Sequence, residues 1–142
     1  MKDLVSICLH TGKIENILMF QNAIKSFVAN NTYPAVELVL IESSQNKKVR
    51  SWIDNLDLNN FVNFDGTSSL VKPSPDVNIQ LLKIYSDFED FYDQKTGDKM
   101  WWVPFIKSLD KALDQSNGKY FTYLAEDIQF VAKGDVISDY IQ

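Results

Sequence analysis

Apolar residues fall into two kinds of segment along the chain. Leu4 to Leu9 and Val36 to Ile41 are short runs of almost continuous apolar residues, and Tyr120 to Leu124 is a third, rich in aromatic and β-branched residues. Runs of this length and composition are typical of strands that are covered on both faces. A weaker run, Phe61 to Phe64, is predicted to be a further strand.

Five other segments carry apolar residues at helical spacing, which predicts amphipathic helices. Their apolar positions are Ile14, Ile17, Leu18, Ile24, Phe27 and Val28; Val49, Trp52, Ile53 and Leu56; Ile79, Leu82, Tyr85 and Phe88; Phe105, Leu109 and Leu113; and Val136, Ile137, Tyr140 and Ile141. Pro34 should keep Tyr33 out of the first helix, which is expected to end near Asn30. Pro104 suits the first turn of the fourth helix. Asn117-Gly118 should end that helix, with Gly118 in the left-handed conformation.

Strands that alternate with helices predict an α/β fold with a mostly parallel sheet. Asp65 to Pro75 carries glycine, serine and proline residues and is predicted to be a loop. If three strands wind one way and the fourth the other, the strand order is 3-2-1-4. The ends of strands one, two and four would then share one rim, where ligands bind in such sheets. The residues at those three ends are His10 and Thr11, Glu42 and Ser43, and Glu126 and Asp127.

Length and charge narrow the classes of function. The 142 residues fit one domain spanning the whole chain, 1–142. A net charge of −5 without a basic cluster argues against nucleic acid as a partner. Cys8 is the only cysteine, which excludes an internal disulfide and a cysteine-based zinc site. There is no run long enough for a membrane span and no signal-peptide pattern, so we expect a soluble, cytoplasmic protein.

Several side chains at the predicted rim have two interpretations. Glu126 and Asp127 fit a site for a hard cation, but adjacent acids also decorate solvated turns. Thr11 and Gly12 precede a helix, where backbone N–H groups meet a nucleotide or are capped locally. His10, the only histidine, is interpreted as a polar rim residue. The pair Trp101-Trp102 fits stacking on a base or sugar, or packing of the helix beside it.

The segments VSICLHTGK, from Val5 to Lys13, and SFVANNTYPAVELVLIESSQ, residues 26–45, resemble the nucleotide-sugar glycosyltransferases of the GT-A fold, especially the family 2 type. Strand one of that family typically reads VSIIIPTYN. The resemblance implies a three-layer, Rossmann-like nucleotide-binding domain. It places Glu42 where an aspartate often contacts the nucleoside, and Glu126 and Asp127 at the DxD-type motif, whose first acid is replaced by Ala125.

That resemblance implies a nucleotide-diphosphate sugar as the ligand and Mn²⁺ or Mg²⁺ as the cofactor. Asp127 is then the metal ligand, and the nucleotide-binding residues are Thr11, Gly12, Glu42, Ser43 and Glu126. Family chains continue into an acceptor-binding half that supplies the catalytic base. Because that half is absent, no catalytic residue is assigned and we expect little sugar transfer by this chain alone. A homodimer or the C-terminal helix would then cover the edge of strand four.

Two further classes of function stay open. The first is a non-catalytic α/β module that binds a ligand or partner, with acids that only decorate a loop. The second is a receiver-like phosphorylation domain, which fits less well because strand one ends in His-Thr-Gly rather than in an acidic pair.

Overall fold

The structure is a computed structural model that describes residues 2–125, 128, 130 and 133–141. Its strands are β1 (Val5–His10), β2 (Ala35–Glu42), β3 (Asn78–Tyr85) and β4 (Tyr120–Leu124). Its helices are α1 (Ile17–Asn30), preceded by a 3-10 turn (Ile14–Asn16), α2 (Lys47–Asp54), α3 (Trp102–Gln115) and α4 (Val136–Tyr140). All strand pairs are parallel and the order is β3-β2-β1-β4, which confirms the α/β class and the 3-2-1-4 order.

Alternate side chains of the central strands enter two separate cores, which makes the domain three-layered. Ile7 and Leu9 of β1 pack in the larger core with buried residues of α1 and α2. Cys8 of β1 points to the opposite core, where it joins Val39 and Ala112 of α3. Because both faces are covered, β1 and β2 have no solvated side, which explains their nearly continuous apolar sequences.

Local signals explain where several elements begin and end. The Asn46 side chain accepts hydrogen bonds from the backbone N–H groups of Lys48, at 2.9 Å, and Val49, at 3.2 Å, and so caps α2. α1 ends at Asn30, as the proline at position 34 predicts. Pro104 is the third residue of α3, so its missing N–H lies in the first turn, as expected.

The predicted position of the third strand is wrong. Residues 61–64 form no strand: Phe61 is buried in the larger core, and Val62 makes only an isolated bridge to Ser68. The third strand is instead β3, a segment predicted to be helical. Its eight residues all pair with β2, from Asn78 opposite Ala35 onward. The three-residue spacing of its apolar side chains suited a helix, but pairing along the full length of β2 satisfies its backbone and decides the conformation.

The reason given for Gly118 is also wrong. α3 ends at Gln115, just before Asn117-Gly118 as predicted, but Gly118 does not have a positive φ. A Cβ atom there would lie 2.5 Å from the backbone N of Ser6. Glycine is therefore required by the close approach of the chain to β1, not by a left-handed turn.

Within the described part of the chain, no helix is both long enough and apolar enough to cross a bilayer.

Candidate functional site

A cleft of about 790 Å³ lies at the carboxyl ends of β1, β2 and β3 and is closed on one side by the start of α3. His10 from β1, Ser43 after β2 and Ser86 after β3 line it, together with Phe105 of α3 and Tyr123 of β4. Since β1 pairs with β2 on one side and β4 on the other, the cleft includes the point where the strand order reverses. This is where open parallel sheets bind ligands.

The chain leaves β1 through a tight turn that hydrogen bonds to the loop after β2. Gly12 has a φ of 60° and lines the cleft. Thr11 is fully buried, and its Oγ1 accepts a hydrogen bond from the backbone N of Ser43 at 3.0 Å. The structure thus brings Gly12 and Ser43 into the cleft, whereas Thr11 lies beneath it and holds the two loops together.

His10 occupies the end of β1 inside this cleft. Its Nδ1 accepts a hydrogen bond from the backbone N of Gly12 at 3.2 Å, and Ser43 Oγ lies 3.5 Å from the same atom. Its imidazole packs edge-on against Phe105, with the ring centroids 5.2 Å apart. Burial lowers the pKa of His10 to about 4, and the opposing effect of the Glu42 charge is smaller. The side chain is therefore neutral at pH 7.

Glu42 is buried and its carboxylate binds protein groups. It accepts hydrogen bonds from the backbone N and the hydroxyl of Ser44, at 2.7 and 2.5 Å, and forms an ion pair with Arg50 at 3.0 Å. Arg50 also contacts Asp87 at 2.6 Å. Both carboxylates raise the pKa of Arg50, with Asp87 contributing the larger part through its hydrogen bond. Glu42 therefore shapes the loop that carries Ser43 and Ser44, and its predicted nucleoside contact stays a prediction.

Aromatic side chains form one wall of the cleft. Phe105 stands edge-on to Tyr123, with centroids 5.4 Å apart, and lies 6.3 Å from Trp101. Trp101 is 65% exposed and lines the cleft, so its indole is open to a ligand. Trp102 packs edge-on against Trp101. The sequence placed Phe105 only on the apolar stripe of α3, and the aromatic residues clustered at the start of that helix were the one signal of this aromatic wall.

The charged side chains that line the cleft have a net charge of zero. Lys13 and Lys99 are balanced by Glu15 and Asp90, and Lys99 forms an ion pair with Asp90 at 3.1 Å. A diphosphate bound there would need a further cation to offset its charge.

The predicted metal ligand Asp127 and its neighbour Glu126 lie outside the described residues. Within those that are described, no three His, Cys, Asp or Glu side chains form a group able to hold a metal ion. Mg²⁺ and Mn²⁺ bound to a diphosphate need only one or two carboxylates, because phosphate oxygens and water complete the shell. β4 ends at Leu124, which pairs with Leu9 directly before His10, so the chain reaches the rim three residues before Asp127.

The chain was compared with protein-family models, with curated proteins and with solved structures, and no match was found in any of the three.

Proposed function

We propose that this chain is a nucleotide-sugar-binding domain of the GT-A glycosyltransferase type, which holds a nucleotide-diphosphate sugar in the cleft. The observation that carries the proposal is the position of the cleft, at the carboxyl ends of a parallel 3-2-1-4 sheet where the strand order reverses. The resemblance of the segments around β1 and β2 to that family supports the same function.

The residues around the cleft suit the parts of such a ligand. The left-handed turn at Gly12 has no side chain, which lets a ligand approach the backbone closely. The Ser43 hydroxyl can donate to or accept from a sugar or phosphate group. The exposed indole of Trp101 offers a flat apolar surface on which a base can stack. Thr11 and Glu42 would act through the loops they hold.

A divalent cation, Mn²⁺ or Mg²⁺, completes the proposal because the charges lining the cleft cancel. Asp127 would hold it, with Glu126 beside it at the nucleotide. When bound, the cation would neutralise the diphosphate as the glycosidic bond breaks.

A non-catalytic module that uses the same cleft to bind a ligand or partner is the second candidate. The ion pair of Asp90 with Lys99 favours it, because this carboxylate of the cleft is engaged by a cation rather than free to act as a base.

Calorimetric titration with uridine and guanosine diphosphates tests the proposal, once with Mn²⁺ and once with a chelator. We expect metal-dependent binding by the wild type. Ser43→Phe should abolish it by filling the cleft, whereas Ser51→Phe, a matched change on the exposed face of α2, should not. Absence of binding by a folded wild type would favour the non-catalytic module.

A further inference from the structure

The hydrogen bonds of His10 determine which of its nitrogens carries the proton. The Gly12 backbone N is a donor only, and it lies 3.2 Å from Nδ1. Nδ1 must therefore accept, which requires it to be unprotonated. In a neutral imidazole the proton is then on Nε2. The turn at Gly12 thus fixes His10 as the tautomer that presents a donor at Nε2.

That donor has no partner among the residues that the structure describes. Nε2 is buried and makes no hydrogen bond within the part of the chain that the structure describes. The nearest aromatic neighbour, Phe105, meets the imidazole edge-on and offers no oxygen or nitrogen acceptor. Buried donors in folded proteins are almost always paired, so this one calls for an acceptor group that the described residues do not supply.

The location of His10 indicates what that group is. The residue ends the central strand β1 and lines the cleft between Ser43 and the aromatic wall. We propose that Nε2–H of His10 is a recognition donor that hydrogen bonds to an acceptor oxygen of the nucleotide bound in this cleft. This inference rests on the proposed function and adds a specific residue to it.

The tautomer and the burial of Nε2 both have consequences for ligand binding. A protonated Nε2 cannot act as a general base. His10 would therefore donate a hydrogen bond to an acceptor atom of the ligand rather than remove a proton. Since Nε2 is shielded in the free cleft, contact with a ligand also requires neighbouring side chains to move on binding. A ligand with a donor at that point would leave two donors facing each other and bind less tightly.

Two substitutions at position 10 distinguish the role of Nε2 from that of Nδ1. In His10→Asn the amide oxygen stands near the place of Nδ1 and can still accept from Gly12, but the Nε2 donor is lost. In His10→Gln the amide NH₂ reaches toward the place of Nε2 and can still donate. We expect His10→Asn to weaken uridine diphosphate binding about tenfold, the size of one buried hydrogen bond, and His10→Gln to weaken it much less. Thermal unfolding of both variants checks that they are folded.

A direct readout comes from ¹⁵N NMR of the untagged protein, because its single histidine gives one imidazole spectrum. The free protein should show a protonated Nε2 and a bare Nδ1. Adding uridine diphosphate with Mg²⁺ should move the Nε2–H proton downfield. Parallel titrations with uridine and with inorganic pyrophosphate tell whether the acceptor oxygen belongs to the base or to a phosphate.

The outcomes distinguish this inference from the proposed function. If the wild type binds uridine diphosphate while the Nε2 signal does not move and His10→Asn binds equally well, the recognition donor is refuted and the proposed function stands. A free protein with the proton on Nδ1 also refutes it. If the wild type binds no nucleotide, the proposed function fails and the inference falls with it.

Discussion

Glu37 on β2 accepts two hydrogen bonds from Asn117, a residue 80 positions later in the chain. The backbone N of Asn117 lies 2.8 Å from Oε1, and its Nδ2 lies 2.7 Å from Oε2. Ser6 Oγ of β1 donates to the same carboxylate at 2.8 Å and accepts from the Gly118 backbone N at 2.9 Å. This network, in which Ser6 and Glu37 are buried, ties the connection between α3 and β4 to both central strands, at the end of the sheet opposite the cleft.

We expect Glu37→Ala to lower the free energy of unfolding by about 3 kcal/mol, because it leaves the buried hydroxyl of Ser6 and the two donors of Asn117 without an acceptor. Glu37→Gln keeps the shape and one acceptor oxygen, so it should cost only about 1 kcal/mol. Urea denaturation measures both. Equal stabilities of the wild type and Glu37→Ala would show that the network does not stabilise the fold.

Gly118→Ala should destabilise the protein by about 2 kcal/mol, because the new Cβ would lie 2.5 Å from the Ser6 backbone N, where the chain cannot easily move. Gly134→Ala is the matched control: nothing lies within 4 Å of its Cβ position and its φ is not positive. That control should change the stability by less than about 1 kcal/mol. Similar losses in the two variants would contradict the close-approach explanation.

Asp127→Ala is expected to abolish metal-dependent binding of uridine or guanosine diphosphate, because it removes the proposed carboxylate ligand of the cation. Glu126→Ala should reduce binding less, since Glu126 holds the middle position of the motif. Calorimetric titration with Mn²⁺ and with chelator measures both, and Asp114→Ala on the exposed side of α3 is the control. Undiminished metal-dependent binding by Asp127→Ala would remove the assignment.

Stability should fall as the pH drops from about 7 toward 4, and His10 should account for part of the loss. Its pKa is about 4 in the folded protein and 6.5 when unperturbed, so between these values the unfolded chain binds a proton that the folded chain does not. The unfolded state is then favoured, by at most about 3 kcal/mol below pH 4.

Urea denaturation at pH 7 and pH 4.5, for the wild type and for His10→Gln, isolates this contribution. The wild type should lose more stability than the variant over that interval, because no other histidine titrates there. An equal loss in both proteins would mean that burial of His10 does not set its pKa.

The sequence by itself determined those elements whose local pattern fits only one type of secondary structure. The continuous apolar runs of β1, β2 and β4 are too short for buried helices, and their alternation with amphipathic helices specifies a parallel α/β sheet. That inference placed His10 and Ser43 at the rim, where both line the cleft. The rule that parallel strands end at one edge needs no knowledge of packing.

Tertiary structure decided whatever depended on partners distant in the sequence. β3 is a strand because β2 offers a full ladder of hydrogen bonds, which no pattern within residues 78–85 reveals. The Glu42 carboxylate is engaged within the protein because Arg50 and Ser44 bind it. Phe105 lines the cleft because α3 starts beside His10. A one-dimensional pattern records which side chains are apolar or charged. Which of them meet depends on long-range pairing and packing. This determined the third strand, the aromatic wall of the cleft and the position of His10 Nε2, which has no partner among the described residues.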